Sequence, residues 1–113
     1  MARKENRKSI NFDLSTRSLN EIFGEGNRHL AYSQIKRFML RSEFEHRQYS
    51  GYVSTNRMSF AEIYLFIKRL TKTCPWLVKC TKRFDVTDFL GESDALDYVL
   101  SAPDEAPISF DVV

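Results

Sequence analysis

The sequence predicts an α+β fold, because segments with the two-residue period of strands alternate with segments that have the period of helices. The clearest strand lies near the N-terminus, where Ile10, Phe12 and Leu14 alternate with polar residues. One amphipathic helix is predicted at 27–42, and residues 59–62 have the pattern of a capping box that begins a second helix. With 113 residues, the chain is expected to form one domain around a single core.

The order of the remaining elements narrows the fold class. A helical turn or ordered loop is predicted at 17–26 and ends at a glycine break, while two short strands are predicted around residues 48–51. A further strand is expected at 77–87, an acidic helix within 88–101 and a terminal strand at 108–113. Strand, helix, two strands, helix and strand form the ferredoxin-like βαββαβ arrangement, with an antiparallel sheet and two helices on one face.

The domain prediction follows from these elements. Residues 8–101 are expected to form the ferredoxin-like domain, preceded by a basic N-terminal tail at 1–7. Residues 102–113 are expected to form an acidic C-terminal extension that adds a strand to the sheet of a partner protomer.

The charges are divided unevenly along the chain. All 17 lysines and arginines lie at or before Arg83, and eight of the 15 acidic residues lie from Asp85 onward. The first 84 residues therefore carry a net charge of +10 and the last 29 carry −8. A basic body of this kind is typical of proteins that bind polyanions, and it favours nucleic acid as the partner.

Two classes of protein are disfavoured by the sequence. No run of about 18 apolar residues is present, and the basic N-terminus lacks the apolar stretch of a secretory signal, so a cytoplasmic protein without a membrane span is expected. Cys74 and Cys80 do not have the spacing of zinc ligands and are expected to be buried thiols.

Asp13 is the most informative polar residue of the first strand. Aspartate is depleted in strands, so propensity alone does not explain its position between Phe12 and Leu14. A carboxylate on a rigid strand suits proton or metal chemistry. The alternative is that Asp13 caps the turn that follows.

Several short segments together resemble a known family. They are residues 10–14, residues 19–24, Ala31-Tyr32 with Ile35, the hairpin residues Gln48, Ser50 and Tyr52, and residues 86–89. In this order and spacing, the chain resembles the virulence-associated protein D (VapD) family over residues 8–99. The resemblance implies a ferredoxin-like fold, similar to the small subunit of the CRISPR adaptation complex. It also implies a homodimer that cuts RNA, often as the toxin of a toxin–antitoxin pair with a small protein antitoxin.

The resemblance also suggests where the site lies. A first-strand aspartate from each protomer faces its mate in the related fold, which makes Asp13 the main catalytic candidate. The family tends to carry an Arg-Asp pair in its last main strand, and this sequence has Lys79-Cys80 at the aligned position.

The resemblance, together with the basic body of the chain, therefore implies an endoribonuclease acting on single-stranded RNA. Asp13 and Ser50 are the predicted catalytic residues, with Asp13 as a base, an orienting group or, paired with its copy, a ligand for Mg²⁺. The predicted RNA-binding residues are Arg17, Tyr52, Lys79 and Arg83.

Two alternative functions accompany this prediction. The fold could serve as a catalytically weak module that binds RNA or DNA, or as a protein-interaction module. His29 and His46 are interpreted as surface histidines rather than an acid–base pair. Lys79 and Arg83 share one face of the predicted last strand, and Lys82 is expected on the opposite face.

Overall fold

A computed structural model describes residues 5–48, 50–91 and 99–101 of the chain. The elements of this part, in order, are β1 (Arg7–Leu14), α1 (Thr16–Phe23), α2 (Arg28–Arg41), β2 (Phe44–His46), β3 (Gly51–Arg57), α3 (Phe60–Thr73), α4 (Leu77–Cys80) and β4 (Thr81–Phe89). The strands form one sheet in the order β2-β3-β1-β4, and every neighbouring pair is antiparallel. This topology confirms the predicted α+β, ferredoxin-like fold class.

Alternation along β1 separates the two sides of the sheet. Ile10, Phe12 and Leu14 are buried, whereas Asn11 and Asp13 between them are exposed. The buried side chains pack against helical residues of one core, namely Leu19, Ala31, Ile35, Met39, Ile63, Phe66 and Leu70. The core therefore lies on one side of the sheet, and the exposed residues of β1 lie on the other.

Helix termini follow from local hydrogen bonds. The Ser15 hydroxyl accepts from the backbone N–H of Ser18 at 3.2 Å and begins α1, which ends at Gly24 with a φ of 94°. Residues 17–23 are thus helical, which decides between the two predicted alternatives. The capping box of Ser59 and Glu62 is present at the start of α3, as predicted.

Several apolar side chains of the two long helices are exposed. Phe60 and Tyr64 are 42% and 59% exposed, so they lie at the margin of α3 rather than in the core. Leu30 of α2 is likewise 44% exposed. The chain has more apolar side chains along these helices than the stripe facing the sheet can bury.

The prediction of a strand from residue 77 is wrong at its beginning. Residues 77–80 form α4, in which the Cys80 N–H donates to the Trp76 carbonyl at 3.1 Å. Leu77 and Cys80 are both buried, and their spacing of three residues is that of a helical turn. The strand β4 begins only at Thr81, so Lys79 belongs to a helix and does not share a strand face with Arg83.

A buried lysine joins the two ends of the domain. The side chain of Lys8 is 4% exposed, and its ammonium lies 2.5 Å from Asp88 Oδ1 on β4. The same ammonium lies 4.4 Å from the centre of the Phe60 ring.

Within the described residues, no helix is both long enough and apolar enough to cross a membrane.

Several predictions concern residues outside the described part. They are the N-terminal tail apart from residues 5–7, most of the acidic helix at 88–101, and the extension at 102–113 with its terminal strand. Residues 88 and 89, placed in that helix by the sequence, are the last two residues of β4.

Candidate active site on the open face of the sheet

The side of the sheet opposite the core, here called the open face, carries a line of polar side chains. On β1 this face is formed by Ser9, Asn11 and Asp13, and on β4 by the residues paired with them, Thr87, Asp85 and Arg83. Acidic and basic groups therefore meet across two neighbouring strands, with both strands fixed by backbone pairing and by the core behind them.

A β-bulge concentrates positive charge beside Asp13. Asp13 pairs with Arg83 and Leu14 pairs with Thr81, which leaves Lys82 as an extra residue without a partner in the ladder. The Lys82 ammonium lies 3.9 Å from Asp13 Oδ2. The expectation that Lys82 faces away from this side is therefore wrong, because simple alternation fails at a bulge.

Asp85 is a second carboxylate on the open face, and the sequence reasoning missed it. Arg83 Nη2 donates to Asp85 Oδ2 at 2.9 Å. Asp85 is paired with Asn11, so it is a diagonal neighbour of Asp13, about 7 Å away by the usual geometry of a sheet. Alternation within residues 81–89, combined with the pairing of first and last strands in this topology, could have identified it.

Cys80 does not belong to this face. It lies in α4 with 0% exposure, and its carbonyl accepts from the Ser15 N–H at 2.7 Å. Burial raises the pKa of its thiol, an effect larger than that of the nearby Lys79 charge, which lowers it. The second carboxylate near Asp13 on the open face is that of Asp85, whereas residue 80 lies in α4 away from this face.

The two candidate residues of the hairpin, Ser50 and Tyr52, lie in different environments. Ser50 is half-buried, and its carbonyl accepts from the Phe12 N–H at 3.3 Å, which places its backbone beside β1 opposite Phe12, the residue before Asp13. Tyr52 is only 3% exposed and stacks on Phe12, with ring centres 6.2 Å apart. Burial raises the pKa of the Tyr52 phenol. Tyr52 thus contributes to the core, as an ordinary strand aromatic would, and direct contact with RNA stays a prediction.

Arg17 and Lys79 are exposed on short helices. Arg17 is 91% exposed on α1, with its guanidinium 3.6 Å from Glu21. Lys79 is exposed on α4. Among the described residues, neither forms a hydrogen bond or an ion pair with Asp13, so their RNA-binding roles stay predictions.

The described residues of one chain do not make a suitable magnesium site. Among the described residues, no group of three histidine, cysteine, aspartate or glutamate side chains is placed to hold a metal ion. Mg²⁺ prefers octahedral oxygen ligands, whereas Asp13 has Lys82 beside it and Arg83 opposite it. Lys82 and Arg83 oppose the approach of a divalent cation to Asp13 within one chain, and a Mg²⁺ site made by Asp13 and its copy in a dimer stays a prediction.

Comparison with known proteins gives a distant similarity. No family model matches the chain. The chain is 28% identical over 74 residues to a protein of Riemerella anatipestifer named Endoribonuclease VapD 2. The alignment covers 66% of this chain and 79% of that protein. The chain is therefore similar, at a distance, to a VapD-type protein.

Proposed function

We propose that the protein is an endoribonuclease that cuts single-stranded RNA on the open face of its sheet. The observation that carries the proposal is the position of the Asp13 carboxylate, with the Lys82 ammonium 3.9 Å away and Arg83 directly opposite. A carboxylate beside two cations suits a reaction that moves a proton while negative charge grows on a phosphate. The name of the similar protein supports RNA as the substrate.

The proposed reaction uses the nucleophile that RNA itself carries. Asp13 accepts the proton of a ribose 2′-hydroxyl while that oxygen attacks the adjacent phosphorus. Lys82 and Arg83 stabilise the negative charge of the five-coordinate phosphorane. The bond to the 5′-oxygen then breaks, and the Lys82 ammonium protonates this leaving group. The products are a 2′,3′-cyclic phosphate and a 5′-hydroxyl, and solvent carries the proton from Asp13 back to Lys82.

Ser50 has a narrower role in this proposal. The backbone hydrogen bond from Phe12 to its carbonyl keeps Ser50 beside the C-terminal end of β1. Phe12 is the residue before Asp13. A hydroxyl at this place can donate to a phosphate oxygen and help to position the RNA.

The proposal also includes a homodimer with the two copies of Asp13 near its axis, acting as a toxin with a small protein antitoxin. Light scattering that finds only monomer would remove the paired arrangement.

An RNA cleavage assay tests the proposal. Wild type, Asp13→Asn and Glu25→Gln are compared on an unstructured RNA oligonucleotide, with and without a chelator. Glu25 is a matched control because it is an exposed acid in the turn after α1. We expect Asp13→Asn to slow cleavage by about a hundredfold or more, Glu25→Gln to leave it unchanged, and the chelator to have no effect.

The outcomes separate the enzyme from the alternatives. Equal cleavage by wild type and Asp13→Asn would remove Asp13 from the mechanism. Cleavage that disappears with the chelator would replace the proposed chemistry by metal-dependent hydrolysis. Binding that weakens steeply with salt and is not followed by cleavage would instead support a nucleic-acid-binding module.

A further inference from the structure

A cavity of about 480 Å³ lies on the open face between the β2–β3 hairpin and the end of β4. Asn11, Gly51, Phe89 and the hairpin residues at 46–48 line it. The volume lies within the range of about 300–1,000 Å³ that is usual for small-ligand sites. The Asn11 amide and the Phe89 ring thus adjoin one space on the same side of the sheet as Asp13.

The cavity is adjacent to the proposed catalytic carboxylate. Asn11 and Asp13 are two residues apart on β1 and point to the same face, which separates them by about 7 Å along the strand. Arg47 lines the hairpin side of the cavity. A nucleotide whose base occupies the cavity would therefore have its sugar and phosphate near Asp13.

Gly51 keeps the floor of the cavity open. A Cβ atom at this position would lie 2.9 Å from Asn11 Oδ1 and 3.0 Å from the Gln48 carbonyl oxygen. The missing side chain thus lets the Asn11 amide lie over the strand. Its Nδ2 makes one long hydrogen bond of 3.4 Å to Ser9 Oγ, and its Oδ1 accepts none among the described residues. The amide therefore retains an acceptor and a donor for a ligand.

We propose that this cavity binds one unpaired base of the RNA next to the cut, and that the Asn11 amide reads the hydrogen-bonding edge of that base. Unpaired RNA bases are recognised by stacking on aromatic rings and by hydrogen bonds to their edges. Phe89 supplies the ring, and the Arg7 guanidinium lies 5.1 Å from its centre and fixes it. Side-chain amides pair with base edges through one donor and one acceptor. The inference rests on the proposed function, because it places the base relative to Asp13.

The test uses oligonucleotides with one cleavable position. Every sugar except one ribose carries a 2′-O-methyl group, so only one bond can be cut, and the base on each side of it is varied in turn. The value of kcat/KM is measured for wild type, Asn11→Ala, Asn11→Asp, Gly51→Ala and Thr87→Ala. Thr87 is the matched control because it lies exposed on the open face outside the cavity.

The expected result is a change of preference among bases. Wild type should distinguish the four bases, and Asn11→Ala should reduce the ratio between the best and worst by about tenfold. Asn11→Asp exchanges a donor for an acceptor and should change the order of the bases. Gly51→Ala should act like Asn11→Ala, because the added methyl group displaces the amide. Thr87→Ala should keep the wild-type ratios.

A binding experiment separates this inference from the proposed function. It uses the same oligonucleotides with every ribose 2′-O-methylated, so that none can be cut, and measures their affinity by fluorescence anisotropy. A base preference that Asn11→Ala abolishes, in a protein that cuts nothing, would support the cavity and refute the nuclease. If wild type and Asn11→Ala cleave with the same kcat/KM ratios among the four bases, the cavity does not read the base, and the proposed nuclease function is unaffected. Melting temperatures of the variants check that each remains folded.

Discussion

Asp13 and Arg83 lie directly opposite each other in the pairing of β1 with β4, yet the Arg83 guanidinium donates to Asp85 on its own strand. The cation nearest to Asp13 is instead the Lys82 ammonium of the bulge, at 3.9 Å. Arg83 therefore lies between two carboxylates and is partly neutralised by one of them. A phosphate that approaches the open face competes with Asp85 for this guanidinium.

The first prediction is that variants of Arg83 and Asp85 change RNA binding in opposite directions. Arg83→Ala removes a cation from the open face, so binding should weaken and depend less on salt. The slope of log affinity against log salt should become shallower by about 0.7 for one lost phosphate contact. Asp85→Asn releases the guanidinium and should tighten binding and steepen the slope. Fluorescence anisotropy at several salt concentrations measures both quantities.

Arg57→Ala is the control for this pair of variants. Arg57 is also an exposed arginine of the sheet, but it pairs with Arg7 at the far end of β1 from Asp13. Its removal should change affinity less than Arg83→Ala does. A shift of the same sign in Arg83→Ala and Asp85→Asn would contradict the competition between Asp85 and phosphate.

The second prediction concerns Lys82, which the proposed mechanism uses to stabilise charge and to protonate the leaving group. Lys82→Ala should lower kcat by about a hundredfold or more, with a smaller effect on KM. Lys82→Arg retains the charge but is a poorer proton donor, so it should restore KM and only part of kcat. Steady-state cleavage of the oligonucleotide over a range of substrate concentrations gives both parameters.

Lys36→Ala provides the comparison, because Lys36 is exposed on α2 rather than on the sheet. It should keep the wild-type kcat. If Lys82→Ala raises KM alone, Lys82 binds RNA without taking part in the chemical step.

Much of the fold could be predicted because local and tertiary signals agree. In β1, the alternation of Ile10, Phe12 and Leu14 matches the side that the core covers. At α3, the capping box marks the helix start in the sequence itself. At 77–80 the pattern is ambiguous, because a four-residue run with two buried residues fits a strand or one helical turn. Packing of Trp76 edge-on against Phe23, with ring centres 5.1 Å apart, favours the turn.

The candidate site was predicted only in part, for a geometric reason. Asp13 could be identified from strand alternation, and the structure places Arg83 opposite it. Lys82 could not, because a bulge inserts one residue and reverses the side on which later residues point. Asp85 could be found only by combining alternation with strand order, which depends on how distant parts of the chain pair.

The third prediction concerns the ion pair between the buried Lys8 and the exposed Asp88. Asp88→Asn leaves the Lys8 ammonium, with its side chain 4% exposed, without a charged partner. The free energy of unfolding should fall by about 1.5–3 kcal/mol, the usual contribution of hydrogen bonds to charged groups. Glu45→Gln is the control, because it breaks the more exposed pair with Arg7 and should cost less than about 1 kcal/mol. Urea unfolding of the three proteins gives the difference, and equal losses would contradict a special role for burial.

The fourth prediction is a loss of stability at alkaline pH that depends on the two buried thiols. Burial raises the pKa of Cys74 and Cys80 above the ordinary value of 9.0. Above that pH the unfolded chain releases thiol protons that the folded protein retains, so the free energy of unfolding falls as pH rises.

The variant with Cys74→Ala and Cys80→Ala lacks these protons but has small core cavities, which make it less stable at pH 7. The gap between wild type and variant, measured by urea unfolding from pH 7 to 10, should therefore narrow above pH 9. Tyr52, whose pKa burial also raises, is present in both proteins and cancels. A gap that stays constant would show that the thiols titrate alike in the folded and unfolded chain.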